Sequence, residues 1–208
     1  WAKELAVQIP IGIYQGGVVC YPDGRFLYKG AVSAQRCRRA ISQALAVGAA
    51  PHIHQDDGVY VDQLPDPVRE YFALLGVRVR PLAEALEAPV RKVGVEAEAE
   101  VLDRLELALA AQGEERWLRS SPGFLELWAD GADKGRALAY LADYLGVPQA
   151  RTVAIGDGLN DLEMIQWAGL GIAMGNSAPA LLACATRVTG TIEEDGAAAA
   201  IYRLLAEG

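Results

Sequence analysis

Basic residues are in short supply. The 208 residues carry 19 Lys and Arg against 27 Asp and Glu, a formal net charge of −8. A general nucleic-acid binder needs a basic field for phosphates, so no nucleic-acid partner is expected. Long apolar runs are also missing. The longest alanine stretch, residues 197–200, is far short of the ~20 residues of a membrane-spanning helix, and no membrane partner is expected. Only three cysteines occur, Cys20, Cys37 and Cys184, widely spaced and without a C-x-x-C. That excludes a disulfide framework and fits a reducing, cytoplasmic setting. Repeats and low-complexity linkers are absent. Hydrophobic residues make up 52%, so wholesale disorder is excluded, and the length suits one large or two small domains.

Three regions follow one another. Residues 1–28 read as short strands, with Val18-Val19-Cys20-Tyr21 and Arg25-Phe26-Leu27-Tyr28 flanking a Pro22-Asp23-Gly24 turn. Residues 29–130 alternate helices and strands. Ser33 can cap a helix with Cys37, Ile41 and Leu45 on one face. Residues 51–55 and 59–61 form a hairpin around Asp56-Asp57-Gly58, and Asp66-Pro67 opens a helix bearing Tyr71, Phe72 and Leu75. Residues 91–95 form a strand, and Val101, Leu102, Leu105 and Leu109 share a helix face. Residues 115–120 and 124–128 pair around Ser121-Pro122-Gly123.

Residues 131–208 change character. Short apolar strands at 153–155, 171–174 and 187–189 alternate with helices at 160–168, 179–185 and 197–205. This pattern predicts a parallel α/β sheet, Rossmann-like in its core. Ligands of such a sheet bind beyond the carboxyl ends of its strands. The loops there are Gly156-Asp157-Gly158-Leu159, Gly175-Asn176-Ser177 and residues 191–196, all rich in Gly, Asp, Asn or Ser.

The strongest motif is Gly156-Asp157-Gly158-Leu159-Asn160-Asp161. Asp157 ends a strand and Asp161 starts a helix four residues on, a spacing that places both carboxylates on one face. Adjacent carboxylates repel unless a cation joins them. Hard oxygen donors with few protein contacts suit Mg²⁺, which keeps several waters and takes substrate phosphate. Asn160 adds an amide able to donate to a phosphoryl oxygen. The competing reading is a capped helix after a glycine turn. The second motif is Asp133-Lys134-Gly135-Arg136-Ala137-Leu138. Asp133 is a good N-cap, which puts Lys134 in the first helical turn, where the helix dipole disfavours a cation. An anion at the helix start would offset that cost. A Lys and two Asp around a divalent ion make a phosphoryl-transfer site.

These residues make the sequence resemble the haloacid dehalogenase superfamily of phosphohydrolases, in its Cof-type branch. The family's Lys-Gly-helix motif is matched by residues 133–138 and its G-D-x-x-N-D motif by residues 156–161. Gly171-Ile172-Ala173-Met174-Gly175-Asn176 and Glu193-Glu194-Asp195-Gly196-Ala197 match two further family stretches. Tyr14-Gln15-Gly16-Gly17 resembles its N-G-A segment, with Gln15 where Asn is usual. The resemblance implies a HAD-like core with an inserted α/β cap at 29–130, flanked by core segments 1–28 and 131–208. It implies Mg²⁺ as cofactor, held by Asp157 with Asp161 supporting the metal site, and phosphate held by Lys134 and Asn160. Lys134, Asp157 and Asp161 would be the catalytic residues. Weaker substrate candidates are Asn176, His52, His54 and Trp117. The substrate would be a small phosphorylated metabolite, such as a sugar phosphate.

One departure matters. The family's nucleophile is the first Asp of a D-x-D-x-T segment, and no such segment occurs here. Asp56-Asp57 reads as a turn, and Asp130 with Asp133 has the wrong spacing. The nucleophile is expected upstream of Trp1, in a strand–helix–strand unit on the order of 30–40 residues. The expected function is a Mg²⁺-dependent phosphatase working through an aspartyl-phosphate, with these residues inactive alone. The alternative is a non-catalytic phosphate- or metal-binding remnant or interaction module.

Overall fold

A computed structural model describes residues 4–63, 66–85, 88–113 and 117–207. The chain forms two compact units, Trp1–Tyr28 with Ala132–Gly208, and Lys29–Gly131. The chain opens with β1 (Ile11–Ile13), β2 (Val18–Cys20) and β3 (Phe26–Lys29), whose last residue begins the second unit. β1 and β2 pair antiparallel, the last pair being Ile13 with Val18, so residues 14–17 form the turn. The turn before β3 sits at 22–24, where Gly24 takes φ +91°.

The second unit begins with α1 (Ala34–Ala46), β4 (Ala50–Gln55), β5 (Gly58–Val61), α2 (Asp66–Leu74) and β6 (Val79–Arg80). It continues through β7 (Lys92–Glu96), α3 (Ala99–Ala110), β8 (Trp117–Ser121) and β9 (Phe124–Trp128). Ser33 caps α1 as expected, its Oγ accepting from Arg36 N. The buried face of α1 is Cys37, Ala40 and Ala44, whereas Leu45 is 57% exposed. Steps of four residues overshoot a full turn by about 40°, so a stripe through Leu45 rotates out of the core. The sheet order is β6-β5-β4-β7-β9-β8, antiparallel except for the β5–β6 pair. Strand alternation gives it two faces. Ile53, Val93, Val95, Leu125 and Leu127 pack toward α1 and α3, against Cys37, Ala40, Leu102, Leu105 and Leu109. His52, Gly94 and Glu126 are register partners on the other face, as are His54, Lys92 and Trp128. The strand expected to start at residue 115 begins at Trp117, and residue 115 lies outside the described residues.

The chain returns to the first unit through α4 (Lys134–Tyr144), β10 (Val153–Gly156), α5 (Leu162–Trp167), β11 (Leu170–Ala173), α6 (Pro179–Cys184), β12 (Arg187–Val188) and α7 (Gly196–Glu207). β10, β11 and β12 pair in parallel in that order. Ala154, Ile165, Ala173 and Leu181 form the core, with Leu138 and Leu162 packed against them. All three strands run the same way, so the loops after β10, β11 and β12 gather at one end of the sheet.

Candidate active site

β10 ends at Gly156, and the chain then makes a 3-10 turn at Leu159–Asp161 before α5 begins at Leu162. The two carboxylates therefore do not share an exposed helix face, because Asp157 precedes the turn rather than lying in a helix. Asp161 is 4% exposed and folds back on its own loop. Its Oδ2 accepts from Asp157 N and Gly158 N, each at 3.0 Å. Its Oδ1 lies 2.5 Å from Lys134 Nζ. Asp161 is thus the anion that offsets a cation in the first turn of α4. A Cβ at Gly156 would fall 2.5 Å from Asp161 Cβ, so only glycine lets the carboxylate tuck in. Asp133 caps α4 as expected, its Oδ1 accepting from Arg136 N at 2.6 Å.

Asp157 is exposed at the end of β10, and its carboxylate has no hydrogen bond or ion pair among the described residues. Asn160 Nδ2 donates to Gln15 Oε1 at 2.9 Å. The loop after β11 closes on the same strand end: Met174 N and Ser177 Oγ both donate to Gly156 O, at 2.9 and 3.3 Å. Asn176 Oδ1 accepts from Ile192 N at 3.0 Å, tying this loop to the one after β12. Lys134, Asp157, Asn160 and Asp161 are therefore brought together, while Asn176 serves as a tie between loops. Two contacts escaped sequence reading. The contact of Gln15 with Asn160 spans 145 residues of chain, which no local pattern reports, and the link from Ser177 to Gly156 depends on strand pairing.

The described residues hold no group of three or more His, Cys, Asp or Glu able to take a metal ion together. Both oxygens of Asp161 are engaged, so the uncommitted carboxylate is Asp157. One carboxylate, with waters and substrate oxygens completing the shell, fits Mg²⁺ and fits poorly an ion that demands a full protein cage.

The side chains of the second unit require correction. His52 and His54 were expected as substrate contacts, which requires accessible rings. Their rings do lie together, 5.2 Å apart, but they are 1% and 8% exposed. His52 stacks on Phe124 at 5.7 Å, and Phe72 of α2 packs edge-on against both rings. Burial, reinforced by the Lys92 charge, lowers the His52 pKa to about 3 and that of His54 to about 2. Asp56 pairs instead with Arg91 and Lys29, which lower its pKa to about 2. Trp117 packs into both helix-side clusters, on the sheet face opposite His52. It does not join the histidines in a common pocket.

Residues 1–201 match the haloacid dehalogenase-like hydrolase family, and the chain belongs to that family. Its fold is the HAD-like α/β fold. A solved haloacid dehalogenase-like hydrolase from Bacteroides thetaiotaomicron superimposes with a TM-score of 0.82 at 30% identity, covering 98% of this chain and 80% of that one. Among curated relatives, an HMP-PP phosphatase of Cronobacter sakazakii is 30% identical over 87% of this chain and 68% of its own length. The 5-amino-6-(5-phospho-D-ribitylamino)uracil phosphatase YitU of Bacillus subtilis is 47% identical over 36% of this chain and 27% of its own length. The chain spans only a third to a half of two other curated relatives, 33% and 47%.

Proposed function

We propose that this chain forms the phosphate- and metal-binding part of a Mg²⁺-dependent phosphatase acting on phosphate monoesters of small metabolites. The observation that carries the reading is the half-buried Lys134–Asp161 ion pair, which sets an ammonium against the loop that bears the uncommitted Asp157 carboxylate and the Asn160 amide. Asp157 holds the ion. Asp161 supports the metal site by pinning Lys134 and the backbone of the loop. Lys134 and Asn160 hold the phosphoryl oxygens. The ion, when bound, would neutralise charge on the phosphoryl group. The relatives named as phosphatases favour this class over a non-catalytic module.

None of the Asp residues present stands in a D-x-D-x-T context. We place the phosphoryl acceptor outside these residues, on a strand beside β10. Among the described residues β10 pairs only with β11, so its other edge is open to such a strand. The second unit is the substrate-selecting cap in this proposal. Joining an N-terminal segment with D-x-D-x-T to the chain tests the reading. Turnover of p-nitrophenyl phosphate that requires Mg²⁺ and is lost in Asp157→Ala is expected. Metal-independent turnover of normal size in that variant would sink the assignment.

A further inference from the structure

We infer that Gln15 is a positioning residue of this site, holding the Asn160 amide in place for a phosphoryl oxygen; the inference rests on the proposed phosphate site. Gln15 lies in the turn between β1 and β2, whose backbone is unusual. Tyr14, Gln15 and Gly16 take φ of +52°, +55° and +82°, three left-handed residues in a row, two of them not glycine. Side chains rarely adopt this region, and it persists only where surrounding structure enforces it. The enforcing contact is the start of α4. A Cβ at Gly16 would fall 2.3 Å from Asp133 O and 2.8 Å from Ala137 Cβ, so the turn is seated directly on the helix end that carries Lys134.

From that seat Gln15 reaches Asn160. Its Oε1 accepts one Asn160 Nδ2–H at 2.9 Å. The other end of the amide lies close against Gly158, where a Cβ would fall 2.4 Å from Asn160 Oδ1. Asn160 therefore sits between Gly158 and Gln15, with one of its two N–H donors used and the second left for a ligand. Residue type supports the role. Asn tolerates the left-handed region better than Gln, so choosing Gln sacrifices local comfort for one methylene of extra reach. The turn thus couples the helix start bearing Lys134 to the loop bearing Asn160 and Asp157.

The test uses three forms of the 208-residue chain, wild type, Gln15→Met and Gln15→Glu, with ¹⁵N NMR of the Asn160 side-chain amide and a titration with inorganic phosphate in Mg²⁺. Met keeps the volume of Gln and removes the acceptor; Glu restores the acceptor. In Gln15→Met the Asn160 Nδ2 resonances should move and phosphate affinity should fall about three- to tenfold, the worth of one hydrogen bond. In Gln15→Glu the Asn160 resonances should return toward wild type. A merely structural role predicts lower thermal stability without these signatures. If wild type binds phosphate and Gln15→Met binds it equally well, the role of Gln15 is overturned and the phosphate site stands. If wild type shows no response to phosphate, the phosphate site itself falls, and the role of Gln15 in it falls too.

Discussion

Mild acid should destabilise the second unit through His52 and His54. Both rings are neutral in the fold, with pKa values lowered to about 3 and about 2 from an ordinary 6.5. An unfolded chain takes up protons at both below pH 6.5, and the folded one does not. The stability they permit is therefore complete above that value and is lost as pH falls toward their folded values. Near pH 5 the loss is about 2 kcal/mol for each ring, or roughly 4 kcal/mol for the pair, a large share of a domain's stability. Asp56 does not interfere, since its contribution is lost only below its ordinary value of 3.8. Glu96, raised by burial, acts in the opposite sense. Urea unfolding at pH 7 and pH 5 measures the effect, read by Trp117 and Trp128 fluorescence with Trp1 and Trp167 replaced by Phe. The double variant His52→Leu/His54→Leu should lose most of the pH dependence. A drop under about 1 kcal/mol in the parent, or an equal drop in the double variant, would refute the reasoning.

Other outcomes follow from the same contacts. Gly94→Ala places a Cβ 2.3 Å from His52 Nε2 and should destabilise the second unit, by about 1–3 kcal/mol in a urea titration. Asp161→Ala strips Lys134 and two backbone N–H groups of their shared acceptor, and should cost roughly 1–3 kcal/mol in unfolding of the first unit. In the chain carrying a D-x-D-x-T segment, Lys134→Ala should lower the rate on the order of 10²-fold or more, and Lys134→Arg should recover only part of it. Asp157→Ala should leave thermal stability near wild type, since its carboxylate has no partner among the described residues, while abolishing the Mg²⁺-dependent turnover of the joined protein.

Much of the fold was legible because its signals are local. Ser33 and Asp133 cap the helices they precede, and the turn at Asp56-Asp57 joins two strands whose register starts at Gln55 and Gly58. The parallel sheet follows from short apolar strands separated by helices. The site motifs were legible as composition, but not as a division of labour. Spacing placed Asp157 and Asp161 together; it could not show that Asp161 turns inward, because that depends on Gly156 lacking a Cβ and on Lys134 arriving from α4. The histidines misled for a related reason. Strand alternation puts His52 and His54 on one face, yet whether that face is open depends on Phe72 and Phe124, which come from other elements. Gln15 was visible only as an odd residue in a familiar segment, since its partner lies 145 residues away.

Phosphatase turnover with and without the acceptor segment tests the central claim most directly. The 208-residue chain and the same chain joined to an N-terminal D-x-D-x-T segment are assayed with p-nitrophenyl phosphate in excess Mg²⁺. The joined protein should turn over at ~1 s⁻¹ or more, and the 208 residues alone should show no turnover. Mg²⁺-dependent turnover of that size by the 208 residues alone would contradict the account, and would send the search for the acceptor to Asp56, Asp57 or Asp130.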